Sequence, residues 1–212
     1  MRRYDEVSAF ILTGGTSSRM SQPKGLLEFG GQPLIVRTAR LVEPLVSVVR
    51  AVGALKPYAS LGLQVIEDLE FSSRSESGRT AGPLAGIATA LTASQTEWSL
   101  ILACDLPYLS AEWLEWLLAR AVGSEPQIVM PRTTGGPEPL AAVYRRECGP
   151  PTITALRQGV RKVTDAMKQF RIKFVTERDW RQIDPDGRVL RNMNTPKDYE
   201  EARRWLAERR PA

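Results

Sequence analysis

The sequence contains no histidine among its 212 residues. This absence excludes proton transfer by imidazole, activation of a serine or cysteine nucleophile by a neighbouring histidine, and zinc sites built on imidazole nitrogens. Catalysis by this chain would therefore rely on carboxylates, lysine, arginine, backbone amides and a hard metal ion.

Cysteine is scarce, and long apolar runs are missing. The two cysteines, Cys104 and Cys148, lie far apart in sequence, which favours a reducing compartment over a disulfide framework. No apolar run is long enough to span a bilayer, and the opening residues Met-Arg-Arg-Tyr-Asp-Glu lack the apolar stretch of a signal peptide. We therefore expect a soluble, cytoplasmic protein with no membrane partner.

The excess of basic residues is modest. The formal net charge is +5 and the pI is about 9.5, which favours an anionic partner. The arginines are spread along the chain, without a basic block, an aromatic-rich RNA motif or zinc-finger spacing. We therefore expect a small phosphorylated ligand rather than nucleic acid. The length and the 42% hydrophobic content fit a single domain over residues 1–212.

Strand and helix patterns alternate over the first part of the chain, to residue 130. Strands are predicted at 7–12, 46–52, 63–66, 98–103 and 128–130, and helices at 33–42, 83–92 and 111–121. The strand at 98–103 is almost continuously apolar, which predicts a central strand covered on both faces. Residues 71–82 lack periodicity and are predicted to form an exposed loop. This alternation is typical of a parallel, right-handed wound α/β sheet.

The pattern loosens after residue 133. Strands are predicted at 140–144 and 172–176, and helices at 152–158 and 163–170. A last helix begins at a clear start signal, because Thr195 can cap it, Pro196 suits its first turn and Asp198 lies three residues after the cap. We expect a three-layer, Rossmann-like α/β fold, with a mostly parallel sheet and helices on both faces.

The first predicted strand runs into Thr13-Gly14-Gly15. Backbone N–H groups at paired glycines can bind an anion, and ligands of open α/β sheets bind at the carboxyl ends of the strands. Two cations, Arg19 and Lys24, follow closely and can reach phosphate oxygens. The spacing matches neither a dinucleotide-binding fingerprint nor a P-loop. Two glycines alone would also fit an ordinary turn with solvated cations.

A carboxylate follows the most apolar strand of the chain, in the segment Ala103-Cys104-Asp105-Leu106-Pro107. At the carboxyl end of a central strand, Asp105 would face the same crevice as the glycine loop. Mg²⁺ takes one or two carboxylates together with phosphate oxygens, so Asp105 is a candidate magnesium ligand. A lone aspartate at this position would also fit a loop or helix cap.

The complete string Leu-Thr-Gly-Gly-Thr-Ser-Ser-Arg-Met-Ser-Gln-Pro-Lys-Gly at 12–25 resembles the loop of the molybdenum cofactor guanylyltransferase family, Leu-Ala-Gly-Gly-x-Ser-x-Arg-Met-Gly-x-x-Lys. This chain departs from that loop at Thr13, where the family usually has alanine, and at Ser21, where it usually has glycine. Sugar-phosphate nucleotidyltransferases have a longer, proline-rich stretch between the arginine and the lysine, so the short spacing argues against them.

Five further segments resemble family motifs in the same order: 65–68, 82–87, 137–144, 159–162 and 192–198. The stretch between Asp68 and Gly82 is longer than is usual in the family. A cytidylyltransferase relative shares the first loop, but the Glu-Pro-Leu segment at 138–140 and the Asn-x-Asn-Thr-Pro segment at 192–196 favour the guanylyl member. The resemblance implies a nucleotidyltransferase fold of the nucleotide-diphospho-sugar transferase type.

The resemblance also implies an activity: transfer of GMP from GTP to the terminal phosphate of molybdenum-bearing molybdopterin, with Mg²⁺ and release of pyrophosphate. The implied GTP-binding residues are Leu12, Thr13, Gly14, Gly15, Lys24, Arg50, Asp68 and Asp105. The implied catalytic residues are Arg19, Lys24 and Asp105, and Asp105 is also the metal ligand. The implied acceptor-binding residues are Arg161, Lys162, Asn192 and Asn194. Residues 1–130 would form the nucleotide-binding half and residues 131–212 the acceptor-binding half.

Three alternatives remain open on the sequence alone. Within enzymes, the chain could transfer a cytidylyl group to the same cofactor or a nucleotidyl group to another small phosphate. From another class, it could be a GTP-binding regulator or a cofactor chaperone that kept the loop. Besides GTP and molybdopterin, we expect transient contact with other cofactor-biosynthesis or acceptor proteins.

Overall fold

The computed structural model describes residues 1–14, 22–69 and 82–209. Gly15, Arg19 and Ser21 of the predicted glycine loop lie outside the described residues. The predicted exposed loop lies outside them as well, except for Gly82, which begins a helix.

Eight strands form one sheet within the described residues. They are β1 (Tyr4–Leu12), β2 (Val46–Val52), β3 (Gln64–Ile66), β4 (Trp98–Ala103), β5 (Ile128–Thr133), β6 (Gly136–Pro137), β7 (Ala141–Arg145) and β8 (Ile172–Thr176). Their order is β3-β2-β1-β4-β7-β5-β6, and β8 pairs with β5. β1, β2, β3 and β4 are parallel to their neighbours in this series, and β8 is parallel to β5. β7 is antiparallel to both β4 and β5. The prediction of a mostly parallel sheet is therefore confirmed.

Seven α-helices are present in the described ranges: α1 (Leu34–Val42), α2 (Gly82–Ala93), α3 (Ala111–Ala121), α4 (Gly149–Arg157), α5 (Val163–Met167), α6 (Glu177–Trp180) and α7 (Pro196–Glu208). The predicted cap of α7 is confirmed, because Thr195 forms a capping box with Asp198. The structure also shows a cap for α3, where the hydroxyl of Ser110 accepts from the amide of Trp113. None of the helices that the structure describes is long and apolar enough to cross a membrane.

Two helical predictions need adjustment. The helix predicted at 163–170 ends at Met167, since the amide of Lys168 turns back to the carbonyl of Asp165 and that of Phe170 to the carbonyl of Met167. These bonds span three residues and tighten the last turn. The helix predicted at 152–158 begins earlier, at Gly149, with prolines in its first turn, where no amide donor is needed.

Alternation along β1 divides the core into two faces. Phe10 and Leu12 pack on one side in the cluster that contains residues of α2, α4 and α5. Ala9 packs on the opposite side with α3, and Ile11 with α1. Side chains of a strand point alternately to the two faces, so a buried central strand contacts both helical layers. The three-layer α/β prediction is confirmed.

The ends of the three central strands coincide. Leu12, the last residue of β1, pairs with Val52 of β2 and with Ala103 of β4. The pairing continues by one residue on each side, because the amide of Thr13 donates to the carbonyl of Val52 (2.8 Å) and that of Cys104 to the carbonyl of Leu12 (3.2 Å). Whatever follows these strands therefore lies at one edge of the sheet, which we call the carboxyl edge.

Candidate active site

The structure brings together the two charged residues predicted from separate motifs. Nζ of Lys24 lies 2.8 Å from Oδ2 of Asp105 and donates a hydrogen bond to it. Asp105 follows the end of β4, and Lys24 begins a short 3₁₀ turn before α1. The two side chains are only 20% and 16% exposed, so the pair is partly shielded from water. This pair lies at the carboxyl edge, where the sequence predicts phosphate binding.

Asn194 joins this pair from the far end of the chain. Its Oδ1 accepts a hydrogen bond of 2.6 Å from Nζ of Lys24. The amide of Met193 donates to the backbone carbonyl of Asp105 (2.9 Å), which ties the segment before α7 to the end of β4. Sequence reasoning assigned Asn194 to the acceptor, whereas the structure places its side chain against Lys24.

A glycine next to Lys24 permits this arrangement. Gly25 is buried, and a β-carbon there would lie 3.2 Å from Cε1 of Tyr58 and 3.4 Å from the β-carbon of Ile35. The chain at Lys24 is thus held close against α1 and the buried Tyr58 ring. Cys104 packs beside it, and burial raises the pKa of its thiol to about 12. Cys104 therefore stays neutral and serves packing, not nucleophilic chemistry.

Leu12 and Thr13, the predicted nucleotide-binding residues at the end of β1, differ in how their side chains are placed. The side chain of Leu12 is 5% exposed and packs in the core, so only its backbone is available to a ligand. The hydroxyl of Thr13 donates to the carbonyl of Val52 (3.0 Å) and lies against Gly53. Gly53 adopts φ +139°, a conformation that favours glycine. Sequence reasoning missed Gly53, although a glycine directly after a strand was the available signal.

Asp68 and Arg50 were also predicted to contact the nucleotide. Asp68 is exposed two residues after β3, and its neighbours partly desolvate the carboxyl group and raise its pKa. Arg50 extends elsewhere: Nη1 donates to the carbonyl of Ala93 (3.3 Å), the last residue of α2, and Nε to Gln64 (3.2 Å). The structure does not bring Arg50 to the Lys24–Asp105 pair, and its nucleotide contact stays a prediction.

A small cavity opens beside Asp105, with a volume of about 190 Å³. It is lined by Ala103, Asp105, Leu106, Glu138, Pro139, Leu140, Ala141 and Asn192. The turn before β7 is fixed to β4, because the amide of Ala103 donates to the carbonyl of Leu140 (2.7 Å). Asp105 thus shares this cavity with Asn192, a predicted acceptor-binding residue, and with Glu138, for which no role was predicted.

Arg161 and Lys162, the other predicted acceptor residues, lie between α4 and α5. Nη1 of Arg161 donates to the carbonyl of Leu156 (2.9 Å) near the end of α4, and Lys162 immediately precedes α5. The acceptor contacts of both residues stay predictions.

The described residues contain no cluster of three or more histidine, cysteine, aspartate or glutamate side chains that could hold a metal ion. A site for Mg²⁺ would thus rest on Asp105, with the remaining positions filled by phosphate oxygens and water. Mg²⁺ bound through one or two carboxylates and substrate phosphates is the usual arrangement in proteins. The hard carboxylate oxygens of Asp105 fit such a site.

Comparison with known proteins identifies relatives over nearly the whole length. A model described as "MobA-like NTP transferase domain" matches residues 9–175. A probable molybdenum cofactor guanylyltransferase from Trichormus variabilis is 33% identical over 197 residues, covering 92% of this chain and 89% of that protein. One from Carboxydothermus hydrogenoformans is 34% identical over 190 residues, covering 90% and 91%.

Solved structures share the fold. Molybdopterin-guanine dinucleotide biosynthesis protein A from Archaeoglobus fulgidus superposes with a TM-score of 0.79 at 23% identity, covering 95% of this chain and 99% of that one. The 2-C-methyl-D-erythritol 4-phosphate cytidylyltransferase from Thermus thermophilus superposes with a TM-score of 0.66 at 14% identity, covering 93% and 98%. The same sheet and helices thus occur in proteins named for cytidylyl transfer.

Proposed function

Because the chain belongs to the MobA-like NTP transferase family, we propose that it transfers GMP from GTP to the terminal phosphate of molybdenum-bearing molybdopterin, with release of pyrophosphate. The chain is a nucleotidyltransferase, and the resemblance read from its sequence is confirmed. The names of the relatives support the guanylyl group and the molybdenum cofactor.

The observation that carries this proposal is the Lys24–Asp105 pair at the carboxyl edge. Nucleotidyl transfer needs positive charge on the triphosphate and a carboxylate for a metal ion, and these are the two groups that the fold gathers. A protein that only bound GTP could use the same two groups, so pyrophosphate release, and not the pair itself, distinguishes the two functions.

The absence of histidine fits this chemistry. The second pKa of a phosphate monoester is about 6, so the attacking phosphate is already mostly dianionic near neutral pH and needs no general base. The remaining tasks are to align the acceptor phosphate with the α-phosphate of GTP and to neutralise the departing pyrophosphate.

The residues divide these tasks. The backbone at Gly14 and the ammonium group of Lys24 bind the triphosphate, and Lys24 stabilises the pyrophosphate as it leaves. Asp105 would hold Mg²⁺, which would supply positive charge to the phosphate oxygens. Lys24 must therefore move from Oδ2 of Asp105 toward the triphosphate when GTP and the metal bind. Arg19 and Gly15 are proposed to bind the triphosphate as well.

The guanine base is proposed to be read by acceptor groups, since its Watson–Crick edge carries N–H donors. The backbone carbonyls near Leu12 and Thr13 and the carboxylate of Asp68 can accept from such donors. On this proposal residues 1–130 bind the nucleotide. Residues 131–212 bind the acceptor, although Asn194 also reaches across to Lys24.

A panel of nucleoside triphosphates tests the proposal. The full chain is supplied with molybdenum cofactor, Mg²⁺ and either GTP, CTP, ATP or UTP, and pyrophosphate release is measured. We expect release with GTP, and its loss in Asp105→Ala. The matched control is Asp5→Ala. It removes an exposed carboxylate at the start of β1, which lies at the edge of the sheet opposite the carboxyl edge.

Each other outcome selects an alternative. Preference for CTP would indicate a cytidylyltransferase, and release with another small phosphate as acceptor would indicate a different substrate. GTP binding without pyrophosphate release would indicate a regulator or cofactor chaperone. Release by Asp105→Ala at the wild-type rate would refute the metal assignment.

A further inference from the structure

The cavity beside Asp105 contains a second carboxylate that the nucleotidyl-transfer chemistry does not use. Glu138 lies in the turn between β6 and β7, and Asp105 follows β4, yet both line the same space. We propose that Glu138 is a specificity-determining residue that accepts hydrogen bonds from the N–H groups of the acceptor's pterin ring. This inference rests on the proposed function, because it concerns the acceptor of that reaction.

The carboxylate of Glu138 is held in a fixed orientation. Its Oε1 accepts a 3.0 Å hydrogen bond from the hydroxyl of Thr133, at the end of β5. Its backbone amide donates to the carbonyl of Pro131 (2.9 Å), and its carbonyl accepts from the amide of Ala141 (3.2 Å). A carboxylate has about four acceptor positions, so this contact leaves capacity for a ligand's donors.

Charge determines which part of the acceptor meets Glu138. The cavity carries two carboxylates, Asp105 and Glu138, and a phosphate placed beside Glu138 would be repelled. The phosphate therefore belongs on the side of Lys24 and Asn194, where an ammonium group and an amide lie. A neutral group rich in N–H donors belongs beside Glu138. A pterin has this character, since it carries an exocyclic amino group and ring N–H groups.

Size and lining agree with a ring system. About 190 Å³ is below the range of roughly 300–1,000 Å³ that is typical of whole ligand sites, so the cavity admits one part of the acceptor. Leu106, Pro139 and Leu140 supply apolar walls for a flat ring, and Asn192 adds an amide. A site that fixes a ligand's orientation usually has a few polar groups among apolar walls.

The test uses a neutral pterin without a phosphate, and an analogue whose exocyclic amino group is dimethylated. Binding to the full chain is measured by quenching of pterin fluorescence. We expect the wild type to bind the pterin at least tenfold more tightly than the analogue, and Glu138→Ala to lose that preference. Glu138→Gln keeps one acceptor oxygen and should fall between them. Glu125→Ala, an exposed carboxylate before β5, is the matched control.

Steady-state kinetics supply a second readout. Loss of a charge-assisted hydrogen bond should raise KM for the molybdenum cofactor about 10- to 100-fold in Glu138→Ala, whereas KM for GTP changes less than about twofold. A merely structural role would raise both. Equal affinity of the wild type for pterin and analogue, no pterin binding at all, or an unchanged acceptor KM in Glu138→Ala would each overturn the inference.

The two proposals can fail separately. A wild-type chain that transfers GMP but shows no dependence of pterin binding on Glu138 refutes the role of Glu138 alone. A wild-type chain that prefers the pterin through Glu138 but releases no pyrophosphate from GTP refutes the proposed function and leaves ring recognition standing.

Discussion

Nζ of Lys24 donates hydrogen bonds to Asn194 and Asp105 at once, at 2.6 and 2.8 Å, and these three residues come from the beginning, the end and the middle of the chain. The amide oxygen of Asn194 carries no charge, so it orients the ammonium group without competing with a triphosphate as strongly as a carboxylate does. We therefore expect Asn194 to position Lys24, in addition to its proposed contact with the acceptor.

Asn194→Ala is expected to lower kcat/KM for GTP about 10- to 100-fold, because a hydrogen bond to a charged group is lost and Lys24 is no longer oriented. The segment itself should stay in place, since the amide of Met193 still donates to the carbonyl of Asp105. Asn194→Asp should be slower still, because a second carboxylate would retain Lys24. Pyrophosphate release at varied GTP concentrations measures both effects. Unchanged kinetics in both variants would contradict the positioning role.

Lys24→Ala is expected to weaken GTP binding and to slow turnover together, because Lys24 is assigned to the triphosphate in both the bound and the reacting state. Because the two side chains are only 20% and 16% exposed, Lys24→Ala leaves the Asp105 carboxylate without its partner and should also lower the melting temperature, so binding is compared at a temperature where both proteins are folded. Lys173→Ala, an exposed lysine on β8, is the matched control. GTP titration and pyrophosphate release are measured for both variants. Wild-type values of both quantities in Lys24→Ala would show that Lys24 does not belong to the site.

Sequence patterns located the strands and helices well because burial here follows regular periods. β4 is nearly all buried, and its apolar run predicted a central strand. The ends of β1 and β4 were predicted to share one edge, and their pairing through Leu12 and Ala103 confirms it. Lys24 and Asp105 were both named from their motifs, since each follows a recognisable strand end.

Long-range contacts could not be read in the same way. Nothing local to Asn194 indicates that it reaches Lys24, and nothing local to Arg50 indicates that its guanidinium turns to the end of α2. The place of β7 between β4 and β5 was likewise not predicted, because strand periodicity reports burial and not strand order. A role for Glu138 can be inferred only from the cavity that forms where β7 lies between β4 and β5.

Gly53→Ala is expected to destabilise the fold for two separable reasons. The φ of +139° at Gly53 costs an alanine about 1–3 kcal/mol, and the new β-carbon would overlap Oγ1 of Thr13, at a further cost of about 1–3 kcal/mol. The double variant Thr13→Ala, Gly53→Ala removes the overlap but keeps the unfavourable φ. Its stability should therefore recover in part, which denaturant unfolding of both single variants and the double variant can measure. Strictly additive losses would contradict the steric contact.

The stability of Glu138→Gln relative to the wild type should depend on pH. Burial raises the pKa of Glu138 in the folded chain, above its ordinary value of 4.5, despite the opposing hydrogen bond from Thr133. A folded pKa above the unfolded value means that folding favours the protonated carboxyl group. Relative to the ionised form, this stability is fully present below the unfolded pKa and is lost as pH rises through the folded pKa. Glutamine stays neutral throughout. Thermal melts should therefore show Glu138→Gln gaining on the wild type as the pH rises above the ordinary carboxyl value of 4.5. If the difference in melting temperature between Glu138→Gln and the wild type does not widen with pH, the carboxylate of Glu138 is as well solvated in the folded chain as in the unfolded one. The cavity would then lack the desolvated carboxylate that favours N–H donors over water.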